Sequence, residues 1–255
     1  IDGFFAQGSL RTRNFLGRGE TFGVSAQAGR YRNLFDVSYY VPWLWDRPQS
    51  AGIQLFKRDL DFDLYTDQRY IRNEQGVVVT YGRSYGLFQN FSVSYTLSDF
   101  EDFRSQRNFL APPDPDTGEF PIIEQEFDFE KSSLTFGYGY DSHDSRLEPT
   151  RGFRARATLE YAGGVLGGEN YFVKPQINLA YTKPWFRTGN ILGVGRDNLN
   201  VGYITPFGED DFGDPRELFF LDLFLLGGEN TIRGFEYRSV WVRDPETGRT
   251  IPDED

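Results

Sequence analysis

The sequence has no cysteine, no methionine and a single histidine in 255 residues. Without cysteine there are no disulfides, thiolate metal sites or cysteine nucleophiles. A first residue other than methionine reads as a processed chain or an excised segment, and with no signal peptide visible any export signal has already gone. Positive charge is in deficit: 27 Lys and Arg stand against 38 Asp and Glu, a formal net charge of −11. A nucleic-acid surface needs clustered Lys and Arg, so nucleic acid is not an expected partner. Long hydrophobic runs are missing too. No apolar stretch approaches the ~20 residues of a spanning helix, and the mean hydropathy of −0.53 excludes a bundle of such helices. Low hydropathy leaves room for a membrane β-barrel, whose strands show only alternate residues to lipid.

Aromatic residues, at 17%, and 28 glycines are plentiful. Rings are expected at a membrane interface and glycines along a crowded barrel wall. The dominant pattern is alternation. Phe22, Val24, Ala26 and Ala28 alternate with Thr21, Gly23, Ser25 and Gln27; Phe91, Val93, Tyr95 and Leu97 alternate with Ser92, Ser94, Thr96 and Ser98. Period two of this kind predicts strands with one apolar face. Alternating segments at 5–13, 21–29, 35–41, 51–55, 77–82, 91–98, 134–140, 153–161, 171–181 and 193–203 mark about ten expected strands, of roughly 9–13 residues once their flanks are included. Glycines in 14–19 and at Gly86 supply turns. The charged stretch 57–63 is expected to close the fourth strand, Pro42 the third, and Pro184-Trp185-Phe186 the ninth. Residues 99–126 read as a long, polar, proline-containing external loop.

Alternation also assigns faces. Phe22, Val24, Phe91, Val93, Tyr95, Phe136, Tyr138, Leu159 and Leu179 are expected toward lipid, and Ser25, Ser94, Arg154, Arg156 and Gln176 toward a wet lumen. The expected fold class is all-β, a transmembrane antiparallel β-barrel. Residues 1–204 supply the strands, and 205–255 form one long extracellular loop that folds into the lumen. A soluble sandwich or propeller shares the period-two pattern. The Ser, Thr, Gly and Arg face opposite bulky aliphatics and rings favours the membrane.

Little here points to catalysis. His143, between Asp141 and Asp144, reads as a turn residue beside solvated carboxylates, since a metal site needs converging ligands. Without a second histidine, a nucleophile-with-base arrangement has few options. The pairs Glu101-Asp102 and Asp210-Asp211 read as solvated loop charges, and 253–255 as an acidic tail. No phosphate-cradling loop precedes a helix. No catalytic residue, metal or cofactor is expected.

The densest apolar run, 218–226, is interrupted by Asp222 and leads into Gly227-Gly228-Glu229-Asn230-Thr231-Ile232-Arg233-Gly234-Phe235. Paired glycines allow a tight turn or close approach to a wall. An arginine flanked by Ile232 and Phe235 would need a carboxylate if buried. On spacing alone, this is an ordinary glycine-rich loop with a solvated arginine. Its context changes the weighting. Gly227, Gly228, Ile232, Arg233, Gly234 and Phe235 resemble the sixth-loop signature of the BamA-type family of outer-membrane assembly barrels. The stretch from Asp141 through Asp144 and Arg146 to Pro149 and Gly152 resembles that family's periplasmic turn between the eighth and ninth strands. Residues 14–19 and 42–44 resemble its first two periplasmic turns.

The resemblance implies a sixteen-strand barrel preceded by POTRA domains, of which this chain would be an open fragment running from about the second strand to the eleventh. It implies a non-enzymatic insertase whose partners are outer-membrane lipid, unfolded β-barrel clients and accessory lipoproteins, in a bacterial outer membrane. It also implies that Arg233 meets a carboxylate on strands beyond this chain. The alternatives are a two-partner secretion transporter, another translocation pore, or an outer-membrane esterase or protease barrel.

Overall fold

The computed structural model describes residues 5–65, 68–107, 122–145, 147–189, 191–208, 218, 222–224, 242–243 and 250–251. Among the described residues, ten long strands run in sequence order through one antiparallel sheet: β1 (Phe5–Phe15), β2 (Glu20–Gly29), β3 (Arg32–Val41), β4 (Gln49–Tyr65), β5 (Gln68–Tyr85), β6 (Gln89–Arg107), β7 (Ile122–Asp141), β8 (Gly152–Ala162), β9 (Phe172–Thr188) and β10 (Ile191–Gly202). The pairing extends slightly past 204, because β11 (Thr205–Pro206) continues along β9 beyond β10. A small hairpin, β12 (Val242–Arg243) and β13 (Thr250–Ile251), stands apart from this sheet.

Turn chemistry sets the hairpins. Between β1 and β2, Gly17 and Gly19 take φ of 74° and 72°, and Asn14 accepts the Gly19 N–H at 2.7 Å. Left-handed backbone of this kind costs glycine nothing. After β3, Pro42 removes a ladder donor. Trp43 and Trp45 follow it, exposed, in a turn closed by one 3₁₀ segment, Leu44–Asp46. The connections β1–β2, β3–β4, β5–β6, β7–β8 and β9–β10 lie at one end of the sheet, and the others lie at the opposite end.

Register carries the apolar face unbroken across the sheet. The row Leu10, Val24, Val37, Leu55, Val77 and Leu97 is joined by direct pairing. The next row runs Ile53, Val79, Tyr95, Leu134, Tyr161 and Val173. None of these side chains is buried: Leu10, Leu55, Ile53 and Val79 are exposed and the others half-buried. The opposite face carries Thr80, Ser94, Thr135, Glu160 and Lys174 in one row. The fourteen side chains assigned by alternation divide between the two faces of the sheet as grouped, nine on one and five on the other, because direct pairing leaves no odd step between them.

Three strand limits correct the sequence reading. β4 runs through the charged stretch 57–63, and β6 and β7 run through 99–107 and 122–126, leaving only 108–121 between them. β4 to β7 are 17, 18, 19 and 20 residues long, well beyond the ~9–11 a tilted crossing needs. The cause is an inverted alternation. In this extension, Asp59, Asp99, Glu101, Asp128 and Glu130 take the face that is apolar lower down, while Phe56, Phe100 and Phe129 take the other. Phe100 and Phe129 are 5% and 4% exposed and stack at 4.7 Å between centroids. β9 likewise continues through Pro184 to Thr188. The register slips between Gly193 and Val194, leaving Trp185 as an extra residue. A bulge needs no ladder bond from that position, so proline is tolerated beside it. Trp185 and Phe186 cover Gly195 and Gly193, where an added Cβ would lie 2.3 Å from each ring.

Candidate functional site: a locked turn and an interior socket

The connection from β7 to β8 is held by its own side chains. Asp144 accepts the Thr150 N–H at 2.9 Å, the Arg151 N–H at 3.3 Å and the Thr150 hydroxyl at 2.5 Å. The Thr150 hydroxyl, the Thr150 amide and then the Arg151 amide hold the Asp144 carboxyl down to about 2, below its ordinary 3.8. Ser142 both accepts from and donates to the Phe153 backbone at 3.1 Å. Gly152 has φ +134°, and a Cβ there would sit 2.5 Å from the His143 Cα, so no side chain fits.

His143 lies in this turn, and its own side chain is buried at 5% exposed, while the neighbouring Asp141 side chain is 41% exposed. Asp141 accepts its Nδ1 at 2.7 Å and is also paired with Arg154 Nε at 2.8 Å. The other ring nitrogen meets Thr182 Oγ1 of β9 at 3.1 Å. Asp141, His143 and Thr182 stand in the order of a hydrolase triad. A nucleophile must reach a substrate carbonyl, and Thr182, 1% exposed in mid-strand, reaches none. The row instead fastens the turn to β9. Of the turn residues singled out from sequence, the structure brings Asp141, Asp144 and Gly152 into this lock. Pro149 is in the same turn without a recorded polar contact, and Arg146 lies outside the described residues.

At the other end, the polar face holds two clusters the sequence reading did not assemble. Asp102, expected to be solvated, is 7% exposed. It pairs in a two-pronged fashion with Arg72 at 2.9 and 3.0 Å, and the Arg72 guanidinium lies 4.4 Å from the Phe100 ring centroid. Beside it, Lys131 of β7 reaches Glu160 of β8 at 3.1 Å and Asp222 at 2.9 Å. Asn170 donates to the other Asp222 oxygen at 3.1 Å, and Lys174 of β9 donates to the Asp222 backbone carbonyl at 2.6 Å. The Lys174 ammonium lies 4.6 Å from the Phe224 ring centroid. That ring covers Gly202, where a Cβ would come within 2.5 Å of it. The clue was present in the sequence: one acid interrupting the run 218–226. Asp210, Asp211, the acidic tail 253–255 and the whole loop motif, Gly227, Gly228, Ile232, Arg233, Gly234 and Phe235, lie outside the described residues.

Three comparisons bear on what this arrangement is. The solved structure of BamA from Haemophilus ducreyi lacking POTRA domains 1–3 superposes with a TM-score of 0.65 at 21% identity, over 95% of this chain and 45% of that one. The outer membrane protein assembly factor BamA of Nitratidesulfovibrio vulgaris is 26% identical over 97% of this chain and 28% of its own length. The sorting and assembly machinery component 50 homolog of Mus musculus is 25% identical over 91% of this chain and 44% of its own. The chain thus spans less than half the length of these relatives. The family model for the Omp85 superfamily domain matches residues 14–251, nearly the whole chain, and the chain belongs to the Omp85 superfamily.

Proposed function

We propose that this chain is the barrel segment of an insertase that folds β-barrel clients into the outer membrane, where the family resides. The observation that carries this reading is coverage: likeness to an outer membrane protein assembly factor runs along 97% of the chain. The physical logic is edge templating. An exposed strand offers unpaired N–H and C=O groups, and an incoming strand satisfies them by adding to the sheet. No bond in the client is made or broken, so the activity is non-enzymatic. The partners are outer-membrane lipid, unfolded β-barrel clients and accessory lipoproteins of an assembly complex. Residues 205–255 form the loop that folds into the lumen, and Arg233 meets a carboxylate there.

Depletion of the full-length protein from its host tests this. Client barrels should lose their heat-modifiable, folded form and accumulate unassembled. If clients fold normally while a secreted passenger is retained, the chain belongs instead to a secretion transporter. Arg233→Ala in the full-length protein tests the loop: client assembly should fall, and heat-modifiable mobility of the barrel itself should weaken. Normal values of both reduce the motif to a solvated glycine loop.

A further inference from the structure

The socket around Asp222 is built, among the described residues, from Lys131 of β7, Glu160 of β8, Lys174 of β9 and the connecting residue Asn170. Two ammonium groups and one amide converge on a single aspartate: Lys131 and Asn170 on its carboxylate, Lys174 on its backbone carbonyl. Lys131 and Asp222 are both mostly buried, with side chains 14% and 15% exposed. Glu160 offsets one of the two lysines, which leaves one positive charge for an acid to meet. Only Asp222 supplies it among the contacts described. Removing one partner from a buried charge cluster strands the rest without water. Phe224 adds a shape constraint, because its ring seats over Gly202.

We propose that Lys131, Lys174 and Asp222 are positioning residues for the long loop. They fix residues 222–224 against the polar face of β7 to β9, upstream of Gly227 in sequence and independently of any partner of Arg233, and client assembly requires that docking. The second half of this statement rests on the insertase reading; the first does not.

The test uses the full-length protein in its own outer membrane, with Gly202→Cys and Phe224→Cys joined by a short bifunctional thiol reagent. Cross-linking should be efficient in the Asp222 background, fall several-fold in Asp222→Asn, and return in Asp222→Glu. Client assembly should follow the same order, while the heat-modifiable mobility of the barrel stays constant, which a general folding defect would not allow. Lys174→Gln, which removes one ammonium charge and its bond to the backbone carbonyl but leaves the contacts of Lys131 and Asn170 to the Asp222 carboxylate, gives a milder variant with an intermediate loss. Unchanged cross-linking in Asp222→Asn overturns the positioning role. Lost cross-linking with normal client assembly overturns its functional part. If depletion of the whole protein leaves clients unaffected, the insertase reading fails, and the cross-linking series still decides whether the socket docks the loop.

Discussion

Along β6 the outward row passes from Val93, Tyr95 and Leu97 to Asp99 and Glu101, while the inward row passes from Ser94, Thr96 and Ser98 to Phe100 and Asp102. The strand and its pleat are continuous across this change; β7 swaps on both faces at the same height, and on β5 the outward row passes from Val77 to Gln75. Below it, the outside is lipid and the inside is wet, so large apolar side chains point out. Above it, the outside is water, so the rings turn inward and stack. The swap marks where the strands leave the membrane, at the step from the row Val77, Leu97 and Ser132 to the row Gln75, Asp99 and Glu130. A strand's alternation therefore reports the solvent on each face, and one strand can report two different solvents.

Substitution on either side of the boundary puts that comparison at risk. Phe100→Ala should be the most damaging, at ~3–5 kcal/mol for deletion of a buried ring, read from denaturant unfolding of the full-length protein in bilayers. A loss near zero would mean the extension has no core. Val93→Arg should cost about 2–4 kcal/mol, because the charge would face mid-bilayer. Glu101→Arg, on the same face above the boundary, should change stability by less than ~0.5 kcal/mol. Equal effects of these two arginines would erase the boundary. Gly152→Ala should cost on the order of 1–3 kcal/mol from backbone strain at positive φ, with the clash at His143 adding to it. It lies at the end of the sheet opposite the extension and should leave the Phe100–Phe129 stack intact.

The smallest effect expected is a pH response of the β7–β8 turn. The Asp144 carboxyl titrates near 2 when the turn is closed, against an ordinary 3.8. A depressed carboxylate stabilises the closed turn fully above 3.8, and that contribution is lost as pH falls through about 2. The Thr150 amide resonance should titrate near the lower value. A midpoint at the ordinary one would mean the carboxylate does not hold these amides.

Ten strands were legible from sequence because within the membrane each face meets one environment, and period two survives intact. Their upper limits were not. Residues 57–63 and 99–107 alternate acids and bases with rings, a pattern that reads as polar loop unless the inversion is anticipated. Asp102 looked solvated because its partner, Arg72, is 30 residues away on another strand. The burial of His143 was not legible, because the hydroxyl its outer ring nitrogen meets, Thr182, is 39 residues away on β9. Glycine requirements were visible at Gly17, Gly19 and Gly152, where backbone conformation is a local matter. The socket needed three strands in register before Lys131 could be matched with Asp222.

Every ladder from β1 to β10 joins strands adjacent in the chain. In kinetic terms this is an array of low contact order, in which each hairpin closes over a short separation. The socket is the exception, since Lys131 and Asp222 are 91 residues apart. Its closure carries the larger loop entropy, and it has no walls until β7, β8 and β9 are in register. Closure of the socket should therefore lag behind zippering of the wall. In pulse-chase experiments, the cysteine pair at 202 and 224 would become cross-linkable only after the hairpins have formed. Until Asp222 arrives, Lys131, Glu160 and Lys174 face one another in water, so the paired wall forms with its charges still solvated.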